Sequence, residues 1–178
     1  MPKGFNIKKF GQVLHYIISK CADKPHVGKT VLYKMLYFSD FDFYELNERP
    51  LTRESYRKID YGPAPCHFDG AIKELKEGGK IREIHPQVGG HMQIKFLPIE
   101  EPRLDLLTAD EIKRIDSTIE KLSGMNASQI IAYTHKDLPV KATEDGNIID
   151  YELVFYRDDM FSVREYDDDP VQGSARVR

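Results

Sequence analysis

Residues 28–41 read GKTVLYKMLYFSDF, and what this stretch becomes decides the fold. Gly28-Lys29-Thr30 has the ending of a phosphate-binding loop, where glycines let backbone N–H groups close on phosphate oxygens after a β-strand. The pattern GxxxxGK[ST] would need glycine at position 23, where the chain has Asp23. An acid there repels phosphate, and the residues before it have helical periodicity. The stretch is therefore read as a helix over residues 30–46 with Thr30 as N-cap. At about 100° per residue, Leu32, Met35, Leu36, Ser39, Phe43 and Leu46 share one side, and Tyr33, Tyr37, Phe41 and Tyr44 form an adjacent stripe. A narrow polar edge carries Lys34, Asp42 and Glu45. A helix apolar over most of its circumference is central in its domain. Two uses of the tyrosines fit this pattern. They form a second packing layer with each hydroxyl bonded, or a rigid amphipathic surface for a partner.

The flanks supply the rest of an α+β domain, mostly helical, with a short strand and a β-hairpin around this central aromatic-rich helix. Ile7, Phe10, Val13, Leu14, Ile17, Ile18 and Cys21 predict an amphipathic helix over residues 6–21. ESYRKID, residues 54–60, alternates as a strand, and YGPAP after it reads as a turn. A third helix spans 66–77, closed by Gly78-Gly79, and HPQVGG at 85–90 is the tip of a hairpin. Thr108 with Glu111 forms a capping box for a fourth helix, and Asn126 caps a fifth. Residues 148–159, IIDYELVFYRDD, are left unassigned between helix and strand. The domain is placed at residues 1–155, and 156–178 is read as an acidic C-terminal extension, partly disordered.

Between residues 32 and 65, LYKMLYFSDFDFYELNERPLTRESYRKIDYGPAP resembles the Panacea antitoxin domain, the SocA-like domain also found in phage-associated GepA-type proteins. Leu32, Tyr33, Lys34, Leu36, Tyr37, Phe38, Asp40 and Phe41 match its helix. Pro50-Leu51-Thr52 matches its loop, Tyr56 its strand, and Tyr61-Gly62-Pro63 its aromatic-Gly-Pro turn. NASQIIAYTHKDLP, residues 126–139, is similar to the second signature, with Thr134-His135 and Pro139 in place. Departures are Met35, Ser39, Glu48-Arg49 where glycine is frequent, and Val140 where an aromatic is common. The resemblance implies an antitoxin that blocks a cognate, adjacently encoded toxin by direct complex formation. It also implies, for one branch, delivery of the toxin to a cytoplasmic protease. It requires no catalytic residue and no cofactor. On this reading Tyr33, Lys34, Tyr37, Asp40, Phe41, Tyr44, Tyr56 and Tyr61 are the partner-binding set. Gly62, Pro63 and His135 are structural signature residues, His135 pinning the second helical part onto the first.

Other chemistries fit less well. The net charge of −3 gives no global attraction to nucleic acid. An alternative, a winged-helix-like nucleic-acid-binding regulator, needs a basic recognition helix, and in CHFDGAIKELKEGG the lysines are offset by Asp69, Glu74 and Glu77. DNA is therefore not an expected partner. His85, His91 and Cys66-His67 lack zinc-site spacing, so no metal is expected. Adjacent Cys66 and His67 point about 100° apart on a helix and form no nucleophile–base pair. The chain is not read as an enzyme. Two cysteines without a CxxC pair, no apolar span and no signal peptide point to a cytoplasmic protein without membrane attachment.

Overall fold

The computed structural model describes residues 3–165. In chain order it contains α1 (Ile7–Lys20), α2 (Lys29–Asn47), β1 (Tyr56–Ile59), β2 (Gly62–Pro65), α3 (Phe68–Glu77), β3 (Ile81–Ile84), β4 (Gln87–Val88), β5 (His91–Met92), β6 (Lys95–Pro98), α4 (Ala109–Leu122), α5 (Ala127–Thr134), α6 (Leu138–Lys141) and a 3-10 helix, Tyr151–Tyr156. The class is α+β and mostly helical, as the periodicities predict. Among the described residues no helix is long and apolar enough to cross a membrane.

α2 is the central element, wrapped by α1, α4, α5, β2 and the 3-10 helix. Its N-cap is Gly28 and not Thr30, which lies inside the first turn, and no side chain caps it. On α1, Asn6 accepts from the backbone N–H groups of Lys8 at 2.9 Å and Lys9 at 3.2 Å. Phe10, Leu14 and Ile17 of α1 are fully buried, each contributing roughly 1.5–3 kcal/mol by removal from water. The predicted capping box of Thr108 with Glu111 forms, and Asn126, predicted as a cap, forms one too with Gln129. Glu48 ends α2 in the left-handed region at φ 54°, the conformation for which glycine is the usual choice.

The strands form three antiparallel pairs, where one strand and one hairpin were expected. GPAP is the returning strand β2, and the turn is the two residues Asp60-Tyr61, since Ile59 faces Gly62 across the register. Residues 146–149 then lie along the outer side of β1, with Lys58 N–H donating to Asn147 O at 2.9 Å and Ile149 N–H to Tyr56 O at 2.8 Å. The second hairpin is interrupted. β3 pairs with β6, and β4 pairs with β5 around Gly89-Gly90, both at positive φ as a two-residue hairpin loop requires.

The segment without a clear periodicity answers what the tyrosines are for. Its 3-10 helix lies against α2, with Tyr151 stacked on Phe41 at 4.2 Å between ring centroids. Tyr44 packs between Tyr151 and Phe155. Phe41 and Tyr44 of the aromatic stripe are thus covered by the chain's own residues. The fold also runs past the boundary set at 155, because Arg157 and Phe161 are buried. Phe161 stacks on Phe38 and packs on Tyr133. The part of the acidic extension after residue 165 lies outside the described residues.

Candidate functional site

Most of the partner-binding set proves to be core. Tyr37, Phe41 and Tyr56 are fully buried and pack on one another. Asp40 is also buried and accepts from Thr52 N–H at 2.7 Å, Thr52 Oγ1 at 2.6 Å and the Tyr56 hydroxyl at 2.6 Å. It ties the Pro50-Leu51-Thr52 loop and β1 to α2, so it is a tertiary staple and not a polar contact for a partner. Burial pushes its carboxyl up to about 6 despite those donors. Tyr44 is half-buried, its hydroxyl donating to Glu152.

The polar edge of α2 is equally internal. Asp42 and Glu45 meet Arg157, whose side chain has no exposed surface. Its guanidinium donates from Nε and Nη2 to the two oxygens of Asp137 at 2.9 and 2.7 Å, and from Nη1 to Asp42 at 2.8 Å and Glu45 at 2.9 Å. The Tyr37 hydroxyl donates to the same Asp137 at 2.8 Å. Burial raises the Asp42 carboxyl against the pull of Arg157, and the neighbouring carboxylates hold the Arg157 proton more firmly than usual. His135 does not pin the second helical part. Its Nδ1–H donates to Ile131 O of its own helix at 2.8 Å. Asp137, bonded to Tyr37 and Arg157, does the pinning, with buried Thr134 packed beside Gly62.

Tyr33, Lys34 and Tyr61 are brought together elsewhere, at the N-terminal end of α2. They line a cleft of about 550 Å³ between the first turn of α2, the β1–β2 turn, the β4–β5 tip and the start of α5. The tip is held there by Lys29 N–H donating to Ile94 O at 2.8 Å and by Lys95 Nζ donating to Lys24 O and Val27 O. Gln93 lies so close over Gly28 that a Cβ would stand 2.5 Å from its Cγ. Glycine at 28 therefore serves close packing, not a phosphate loop.

The cleft is lined by both apolar and basic side chains. Tyr61 is 63% exposed and Met92 67% exposed, with Ile59 and Ile94 beside them. Lys29, His26 and His91 stand around the rim, Lys29 also reaching exposed Asp69 at 3.3 Å. Lys34 is buried in the wall, its Nζ donating to Pro63 O at 3.1 Å. Among the described residues no carboxylate pairs with it, and burial brings its ammonium down to about 7. Gly62, at φ +96°, lets β2 pass close to this ammonium; a Cβ there would meet Nζ at 3.5 Å, an ordinary contact. The cost of Gly62→Ala is therefore backbone strain of about 1–3 kcal/mol, to be read in urea unfolding.

Sequence reasoning missed Ile59, Met92, Ile94 and the cationic rim. The exposed apolar residues of the hairpin tip were the available signal. α3 buries Phe68, Ala71, Ile72 and Leu75 and leaves Asp69, Lys73, Glu74, Lys76 and Glu77 outward, a mixed-sign face. Elsewhere His67 Nδ1 bonds buried Glu54 at 2.6 Å with its ring stacked on Phe5, joining the N-terminal segment to the first hairpin. Among the described residues no group of three or more His, Cys, Asp or Glu is placed to hold a metal ion. Cys21 is buried and Cys66 exposed, both free.

No curated protein and no solved structure matches the chain. Residues 32–139, more than half of the chain, match the family model described as "Antitoxin SocA-like, Panacea domain". Of the ionic knot around Arg157, the matched stretch takes in Asp42, Glu45 and Asp137 but not the arginine itself, and it covers most of the cleft. The chain belongs to the SocA-like, Panacea-domain antitoxin family.

Proposed function

We propose that this chain neutralises a cognate toxin by binding it directly, in the cytoplasm, without chemistry of its own. The observation that carries the reading is the cleft at the N-terminal end of α2. It exposes Tyr61, Met92, Ile59 and Ile94 together, the rigid aromatic and thioether area from which interface hot spots are built. Family membership supplies the class of partner.

Co-expression tests it. The product of the neighbouring open reading frame, induced alone, is expected to arrest growth, and simultaneous expression of this chain is expected to restore it. Arrest that persists with equal amounts of both proteins present sinks the reading. Toxin half-life separates two modes: unchanged half-life in the rescued cells marks simple sequestration, and shortening that depends on a cytoplasmic protease marks delivery for degradation.

A further inference from the structure

We infer that the cleft takes an acidic segment of the partner protein, seated through one apolar anchor side chain. This rests on the antitoxin reading and adds the chemistry of what is bound. Three features converge on it. First, the basic side chains Lys29, Lys34, His26 and His91 line the cleft and, among the described residues, no aspartate or glutamate does. Second, α2 begins there without a capping side chain; Lys29 N–H is taken by Ile94 O, which leaves the amides that follow it in the first turn and the positive end of the dipole for an anion. Third, Lys34 is a buried ammonium in the same wall with a single carbonyl acceptor and no counter-charge. A carboxylate in the cleft supplies that charge.

A free anion would leave the apolar lining of the cleft unused. Tyr61, Ile59, Met92 and Ile94 form an apolar floor, which an aromatic or leucine side chain fills and a phosphate does not. Carboxylates and an apolar side chain belong together in a polypeptide. Desolvated charge complementarity of this kind fixes register and accelerates encounter.

The test uses the full chain, isotopically labelled, and three probes at equal concentration: a blocked Asp-Glu-Phe-Leu-Asp peptide, the same peptide with lysine for each acid, and inorganic phosphate. Amide shifts confined to Thr30, Tyr61, Met92 and their neighbours, caused by the acidic peptide alone, are expected. Lys29→Glu combined with Tyr61→Ala, both at exposed or half-exposed positions, should weaken that binding about tenfold or more with the unfolding midpoint unchanged. Equal shifts with phosphate would make this a small-anion site and overturn the proposal. Shifts on another face, or none, would overturn it too. Growth assays keep the two readings apart. Full rescue by the double variant removes the cleft as the contact surface while leaving the antitoxin reading standing. Failure of rescue by the native chain removes that reading, and the peptide titration still reports on the cleft.

Discussion

Arg157→Met is expected to destabilise the protein by about 3–5 kcal/mol, the range for removing one partner from a buried ionic cluster. The guanidinium answers three carboxylates at once, Asp42, Glu45 and Asp137. Methionine fills similar space but leaves all three without a cation, and it releases Asp137 from the fork that orients it for the Tyr37 hydroxyl. Arg157→Lys is expected to recover only part of the loss, because one ammonium cannot reproduce the bidentate geometry. The two variants differ from native in how their deficit depends on pH. Without Arg157 the buried carboxylates lose their counter-charge, so keeping them ionised opposes folding. The deficit should be largest near neutrality and shrink as pH falls and those groups take up protons. Urea unfolding across the acid range measures it. A variant that unfolds at the native urea concentration would mean that the cluster is not closed in solution.

The ionic knot also explains what the sequence does and does not disclose. Helix positions follow from apolar periodicity, and the capping boxes at Thr108 and Asn126 are local chemistry, so both are legible from a short window. The function of the α2 polar edge is not. Lys34, Asp42 and Glu45 look like a solvated seam because their partners, Pro63, Arg157 and Ser162, lie 29 to 117 residues away. The same separation hides the fate of Tyr37, Phe41 and Tyr44. An amphipathic aromatic stripe has the same composition whether a partner or a distant segment of its own chain covers it, and here residues 151–156 do. That segment has little periodicity of its own because a 3-10 helix of 6 residues gives no 3.6-residue pattern to detect. Of the predicted surface, only Tyr33, Lys34 and Tyr61 converge on one cleft. The apolar floor beside them comes from the β1–β2 turn and the β4–β5 tip, where exposed Ile59, Met92 and Ile94 break the rule that hairpin ends are polar.

Lys34→Met is expected to stabilise the protein at mildly acidic pH and to weaken its hold on an acidic ligand. Burial lowers the Lys34 ammonium from 10.5 to about 7. Below that value the group is charged in both the folded and unfolded chains, and the folded chain carries the whole cost of burying it, of the order of 3–5 kcal/mol. Between about 7 and 10.5 the unfolded chain keeps its proton while the folded chain has lost it, so native stability rises with pH by up to about 1.4 kcal/mol per unit. Methionine removes the charge but leaves Pro63 O without its donor, a loss of about 1–3 kcal/mol. The net gain should be about 1–3 kcal/mol near pH 6 and vanish or reverse above about pH 9. A gain of equal size at both values would show that Lys34 keeps its proton throughout, and with it that some anion already answers the charge. A buried cation that costs the empty protein stability has its compensation in the bound state: a carboxylate arriving in the cleft restores the counter-charge the fold omits. The variant that is more stable alone should therefore be the one that gains least from its partner. Comparing unfolding midpoints of Lys34→Met and native chains with and without the acidic peptide measures that difference directly.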